Sequence, residues 1–129
     1  MLVVDGYNII NDWQGLRRDL ETSLEEARNR LIHILAEYAH YSKTKILLVF
    51  DAYNVKGRVA TEDHYQGVDI IYTEEHQTAD QYIEKYLDRF GQEKRIRVAT
   101  SDRVEQDLIL QRGGTRVSAR ELEAEIHDA

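Results

Sequence analysis

Four aspartates stand where packing gives a carboxylate little to do: Asp5 in "VVDGYNII", Asp51 in "LLVFDAYNV", Asp80 in "QTADQYIE" and Asp102 in "VATSDRVEQ". Asp5 and Asp51 each close an apolar run, and Asp102 follows another. Asp80 falls in the first turn of an expected helix, with Glu84 one turn beyond it on the same side. Parallel strands bring their carboxyl ends to one edge, and sites form outside that edge. Like charges gathered there repel and raise one another's pKa, so the set calls for a cation or a proton. Oxygen ligands with no histidine or cysteine at ligand spacing suit Mg²⁺ or Mn²⁺. The matching chemistry is hydrolysis of a phosphodiester by a metal-activated water attacking phosphorus in line, with one ion or two. Each acid alone has a plainer use. Asp80 and Asp102 can each cap a helix and complement its dipole, for less than about 1 kcal/mol on a surface.

The neighbours extend the pattern. Asn8 follows Asp5 by three residues, after a tight turn that Gly6 would permit. Its amide could orient a water or bond a phosphate, or close an Asx turn. Thr100 and Ser101 precede Asp102 and could bond a carboxylate or cap the next helix. The histidines at 33, 40, 64, 76 and 127 show no metal-ligand spacing, although His76 stands just before the "TAD" stretch. Trp13 reads as a packing residue. Tyr7, Tyr53 and Tyr65 are candidates for base stacking.

The elements needed to place these residues alternate. Strands are expected at 1–5, 45–50, 68–73, 95–100 and in "TRVS" near 115–118. Ser23 with Glu26, Thr78 with Gln81 and Ser118 with Glu121 have capping-box spacing and open helices. The first helix carries the stripe Leu24, Ala27, Leu31, Leu35 and Tyr38. The second carries Ala79, Ile83, Tyr86, Leu87 and Phe90, and ends at Gly91. A further helix is expected over about 102–112, and the last turns Leu122 and Ile126 inward. Residues 12–22 are polar around Gly15 and predict a loop, and 55–67 predict a mobile loop or irregular hairpin. Short apolar strands alternating with helices predict an α/β fold, a mostly parallel sheet of about five strands covered on both faces.

The chain has 129 residues, enough for one domain, and its 42% hydrophobic content supports a core. It lacks cysteine, which excludes disulfides and thiolate metal sites and fits a cytoplasmic setting. No signal peptide or membrane span is evident. The net charge of −7 argues against indiscriminate nucleic-acid binding. Its distribution is uneven: six acids and two bases lie between Thr73 and Glu93, against seven bases and three acids from Lys94 to Arg120. An acidic centre with basic flanks suits a metal site acting on a polyanion; a mixed, solvated surface explains the same counts.

In series, "VVDGYNII", "VFDAYNVKG", "IIYTEEHQTADQYIEKY", "RVATSDRVEQ" and "GGTRVSARELEAEI" resemble the YacP-like NYN family of the PIN-like nuclease fold, over residues 2 to about 126. The resemblance implies one NYN domain over 1–129 and a metal-dependent endoribonuclease, with action on mRNA at the ribosome in at least one member. It implies Asp5, Asp80 and Asp102 as ligands of Mg²⁺ or Mn²⁺, with Asn8 beside them as a catalytic partner. Asp51, Glu84, Ser101, Glu105 and Gln106 form a second tier. Family members can carry further helical structure after the segment matching "EIHDA". Lys56, Arg58, Arg95, Arg97 and Arg103 are candidates for contact with RNA phosphates, as are Arg112, Arg116 and Arg120.

Three other readings fit parts of the pattern. A PIN-like module could bind RNA or protein without cutting. A phospho-accepting receiver domain shares the length and an aspartate near 51, but it would want paired acids after strand one and a lysine after strand five. A haloacid-dehalogenase-like phosphatase would want a second aspartate where Tyr7 stands. The expectation is therefore a cytoplasmic endoribonuclease that acts on RNA and possesses no membrane anchor.

Overall fold

The computed structural model describes residues 1–52, 56–57, 59–101 and 106–129. In chain order the elements are β1 (Leu2–Asp5), α1 (Gly6–Asp12), α2 (Gln14–Thr22), α3 (Leu24–Ser42), β2 (Ile46–Phe50), β3 (Thr61–Tyr65), β4 (Val68–Tyr72), α4 (Ala79–Phe90), β5 (Arg97–Ala99), α5 (Gln106–Gln111), β6 (Thr115–Val117) and α6 (Ala119–His127). The six strands form one sheet in the order β3-β4-β2-β1-β5-β6. All neighbours are parallel except β3, which runs antiparallel to β4 at the edge.

Alternation along the strands divides the core in two. Leu2, Val4, Ile46, Leu48, Phe50, Val68 and Ile70 face Ile9, Leu16, Leu31, Leu35 and Leu122 of α1, α2, α3 and α6. Val3, Leu47, Val49, Ile71 and Val98 face Ile83 and Leu87 of α4 and Ile109 of α5. Full burial of each such side chain is worth about 1.5–3 kcal/mol. The same alternation turns Asp5 to the side of Val3, toward α4.

The chain builds outward from β1 through β2 to β4, then crosses by α4 to β5 on the other side of β1. The switch point thus lies between β1 and β5, where α/β sheets open a crevice at their carboxyl ends. Counted without the antiparallel edge, the parallel strands run third, second, first, fourth, fifth. A receiver domain runs second, first, third, fourth, fifth, so this order sets that alternative aside.

Two stretches differ from the sequence reading. Residues 12–22 are not a loop: they finish α1 and form α2. Ile9, Trp13, Leu16 and Leu20 recur at helical spacing, and Trp13 and Leu16 are buried while Leu20 packs against them. A helix held by so narrow a stripe looks polar in sequence. Part of 55–67 is strand β3, the sixth strand. Its residues "TEDHY" are exposed or half-buried, so no apolar signal marks it. A two-residue turn at Gln66 and Gly67, with φ of 41° and 88°, joins it to β4 in the primed-turn geometry that fits strand twist. A polar edge of this kind also discourages pairing with other chains.

Smaller differences have local causes. Gly6 opens α1, and a Cβ there would lie 2.4 Å from the Phe50 ring, so close approach requires the glycine. Leu24, expected in the stripe of α3, is 43% exposed at its first turn. Thr78–Gln81 and Ser118–Glu121 form complete capping boxes, and Ser23 accepts from the Glu26 amide at 3.2 Å. No helix among the described residues is long and apolar enough to cross a membrane.

Candidate active site

The carboxyl edge of the sheet collects the acids. Asp5 is the last residue of β1 and is 9% exposed. Asp51 directly follows β2, and its Oδ2 accepts from the Ala79 amide at 3.3 Å, at the start of α4. Asp80 is the second residue of that helix, whose entry is fixed by the Thr78–Gln81 box. Three separate elements therefore bring their carboxylates to one place.

The electrostatic result is visible at Asp5, whose pKa is raised to about 7. Burial is the largest cause, followed by the charge of Asp80. A hydrogen bond donated by the Asn8 backbone N–H pulls the other way, while a hydrogen bond shared with Asp80 and the charge of Asp51 push further up. A carboxylate so placed invites protonation or a cation. Among the described residues no three carboxylates or imidazoles make a complete ion-binding set. The expected third ligand, Asp102, lies outside the described residues, as do Glu105, Arg103, Arg58 and Tyr53.

Asn8 does not simply tie down its own turn. Its Oδ1 accepts from the backbone N of Ser101 at 2.6 Å and from Ser101 Oγ at 2.8 Å. These bonds join α1, which directly follows β1, to the segment after β5 across the switch point, and hold the residue that immediately precedes Asp102. Two donors on one oxygen fix the orientation of the amide, whose Nδ2 hydrogens have no protein acceptor among the described residues.

Thr73, which the sequence reading passed over, holds the other side. It is fully buried just beyond β4. Its Oγ1 accepts from the Ala52 amide at 2.8 Å and donates to the Gln77 carbonyl at 2.8 Å. One hydroxyl thus locks the residue after Asp51 to the approach of α4. A threonine closing an apolar run, as in "VDIIYT", is the only sequence signal for it.

The remaining candidates divide by position. Glu84 pairs with Arg112 Nη2 at 2.8 Å, and Arg112 Nε also reaches Asp88 at 2.6 Å, so this carboxylate secures α4 against the end of α5. Ser101 is exposed beside Asn8, and Gln106 opens α5. Lys56 is exposed in the turn beyond Asp51. Arg97 stands level with Leu2, at the opposite end of the strands from Asp5, and is bidentate to Glu125 at 2.7 and 2.9 Å. The Arg95 carbonyl accepts from the N-terminal amine at 3.1 Å at that same far end. The expected basic flank from Arg95 and Arg97 is thus not on the acidic edge. His76, at φ 66°, is exposed and 3.8 Å from Glu75. Trp13 is buried and donates from Nε1 to the Ala119 carbonyl at 2.8 Å, a packing role.

Comparison with known proteins bears on the family and the fold. The model of the YacP-like NYN domain matches residues 2–129. YacP of Bacillus subtilis (strain 168) is 42% identical over 127 residues, which cover 98% of this chain and 74% of that protein. The crystal structure of Rae1 (YacP) from Bacillus subtilis superposes with a TM-score of 0.82 at 42% identity, covering 99% of this chain and 74% of that one. A mutant of the same protein gives 0.82 at 41%, covering 98% and 74%. The chain belongs to the YacP-like NYN domain family, whose PIN-like α/β fold is of the nuclease type.

Proposed function

We propose that this chain is a divalent-metal-dependent endoribonuclease that hydrolyses the phosphodiester of RNA. The observation that carries the reading is Asp5: buried at the switch point, beside Asp80 and Asp51, with its carboxyl pushed up to about 7. Crowding of that kind suits a hard cation. Asp5 and Asp80, with Asp102, would hold Mg²⁺ or Mn²⁺, and Asp51 would add negative charge next to them. The ion, when bound, neutralises the phosphodiester and lowers the pKa of a water nucleophile. The chain's own part is to place charge. Asn8 holds Ser101 and so sets the segment leading to Asp102. Thr73 fixes the approach of Asp51 and Asp80. Water attack in line leaves a 5′-phosphate and a 3′-hydroxyl.

A net charge of −7 gives weak unaided affinity for RNA, because such affinity comes largely from neutralising phosphates. That charge fits an enzyme delivered to mRNA in the cytoplasm by a larger partner such as the ribosome.

Calorimetric Mn²⁺ binding by wild type and Asp80→Asn, with cleavage of free and ribosome-bound RNA followed in parallel, tests the reading. Loss of both binding and cleavage in the variant is expected. Wild type that binds no Mn²⁺ would instead favour a module that binds RNA or protein without cutting. A 2′,3′-cyclic phosphate product would overturn water attack, since the RNA 2′-hydroxyl would then be the nucleophile.

A further inference from the structure

The carboxyl edge carries a second set of groups that the acids do not use. Phe50, the last residue of β2, is paired in register with Tyr72, the last residue of β4. Their rings stack with centroids 5.4 Å apart at 26°. Tyr7, two residues after Asp5, lies 5.1 Å from Phe50. Tyr7, Phe50 and Tyr72 therefore form a row across the strand ends, on the α3 side of the edge. Phe50 is fully buried, whereas the two tyrosines keep part of their surface in solvent.

Arg28, on the second turn of α3, joins the two tyrosines. Its Nη1 donates to the Tyr7 hydroxyl at 3.0 Å, and its guanidinium lies 5.9 Å from the centroid of the Tyr72 ring. Arg30, Lys45, Arg97 and Arg112 each have a carboxylate within pairing distance. Among the described residues Arg28 has none. Its partners are a neutral phenol and a ring, which engage few of its five N–H donors. A half-buried guanidinium held in a fixed orientation, with its charge uncompensated, is receptive to an anion.

We propose that Arg28, held by Tyr7 and Tyr72, forms with them a subsite for single-stranded RNA, in which Arg28 binds a phosphate flanking the scissile one and the solvent-facing part of the Tyr7 ring takes a base. A strand crossing the edge from the α4 side to the α3 side passes from the acids to this row. Three aspartates repel a polyanion, and Arg28 supplies attraction on the same approach. Aromatic faces accept any base, which suits contact with a strand rather than recognition of a sequence. The proposal rests on the nuclease reading above.

Cleavage of an end-labelled single-stranded oligoribonucleotide in Mn²⁺, at salt from about 50 to about 200 mM, tests it with wild type, Arg28→Gln and Arg28→Lys. Arg28→Gln is expected to raise KM about 10-fold, with a smaller change in kcat. It should also flatten the slope of log(1/KM) against log[salt] by about 0.7, the value for one phosphate on a single strand. Arg28→Lys should keep the slope and lose part of the affinity, since a point charge replaces the planar fork. Calorimetric Mn²⁺ binding should match wild type in both variants. Unchanged KM and slope in Arg28→Gln would overturn the subsite and leave the nuclease reading standing. If Arg28→Gln does not fold, Arg28→Lys decides, and unchanged KM there overturns the subsite. Wild type that neither binds nor cuts RNA would overturn both readings.

Discussion

The two ends of the sheet treat charge in opposite ways. At the amino end Arg97 is bidentate to Glu125, and the Tyr38 hydroxyl donates to the same carboxylate. The Arg97 hydrogen bonds hold the Glu125 pKa below the usual carboxylate range. At the carboxyl end Asp5 sits among carboxylates and its pKa is raised to about 7. Both groups are removed from bulk water to some degree, but among the described residues only Glu125 has a partner of opposite sign. Charge that is satisfied within the chain serves the fold; charge left unsatisfied is available to something from outside.

The two ends differ most in what the loss of Asp80 should do. Asp80→Asn should reduce RNA cleavage by about 10³-fold, measured as kcat/KM, while the fold is retained. Normal cleavage by that variant would show that the crowded end is not the reacting end.

Asp5 gives a stability test in metal-free buffer. Its carboxyl ionises near 3.8 when unfolded and at about 7 when folded, so the native state holds that proton more tightly. The destabilisation is absent below about 3.8 and fully developed above about 7. Metal-free wild type should therefore lose stability as pH rises through this window, by at most about 4 kcal/mol. Asp5→Asn should flatten that dependence in thermal melts from pH 4 to 8. Added Mn²⁺ should raise the wild-type midpoint at pH 8 and leave the variant unmoved.

Asn8→Ala removes the acceptor for two Ser101 donors without touching a carboxylate. Cleavage should fall about 10–100-fold, as for groups that orient ligands. Mn²⁺ affinity should weaken less than in Asp80→Asn, and equal weakening would make Asn8 a ligand rather than a brace.

The smallest effect belongs to the paired end. Glu125→Gln should lower stability by about 1 kcal/mol at neutral pH, since the pair is partly exposed to solvent. Because the Glu125 pKa is lowered on folding, its contribution is complete above the usual carboxylate pKa and vanishes as pH falls through the lowered one. RNA cleavage should not change, and a loss there would join the two ends functionally.

Legibility in the sequence followed apolar contrast. The strands "LVVD" and "ILLVF" stand out because each is buried on both faces, and "VDIIY" because Val68, Ile70 and Ile71 are buried. The capping boxes at Thr78 and Ser118 announce α4 and α6 because capping is a local bond over three residues. Strand β3 is wet on both faces, and α2 shows one buried residue, so neither raises that contrast. Among the candidate residues, Asp5, Asp51 and Asp80 are legible as acids at strand and helix ends. Thr73 and Arg28 were not, because a hydroxyl ending a strand and an arginine in "EEARNR" look like ordinary polar positions.

Residue pattern along the chain is enough to set the alternation of buried strands and helices, and hence the edge on which strand-end acids must fall. Side-chain period and parallel pairing decide that much with no knowledge of strand order. Long-range packing sets the order β3-β4-β2-β1-β5-β6, which puts the switch point between β1 and β5 and lets Asn8 reach Ser101. Packing also sets which charges are answered. Arg97 and Arg28 are alike in sequence, yet one meets Glu125 and the other meets tyrosine. Ion pairing depends on separations of a few ångströms between residues distant in the chain, and those are set by packing.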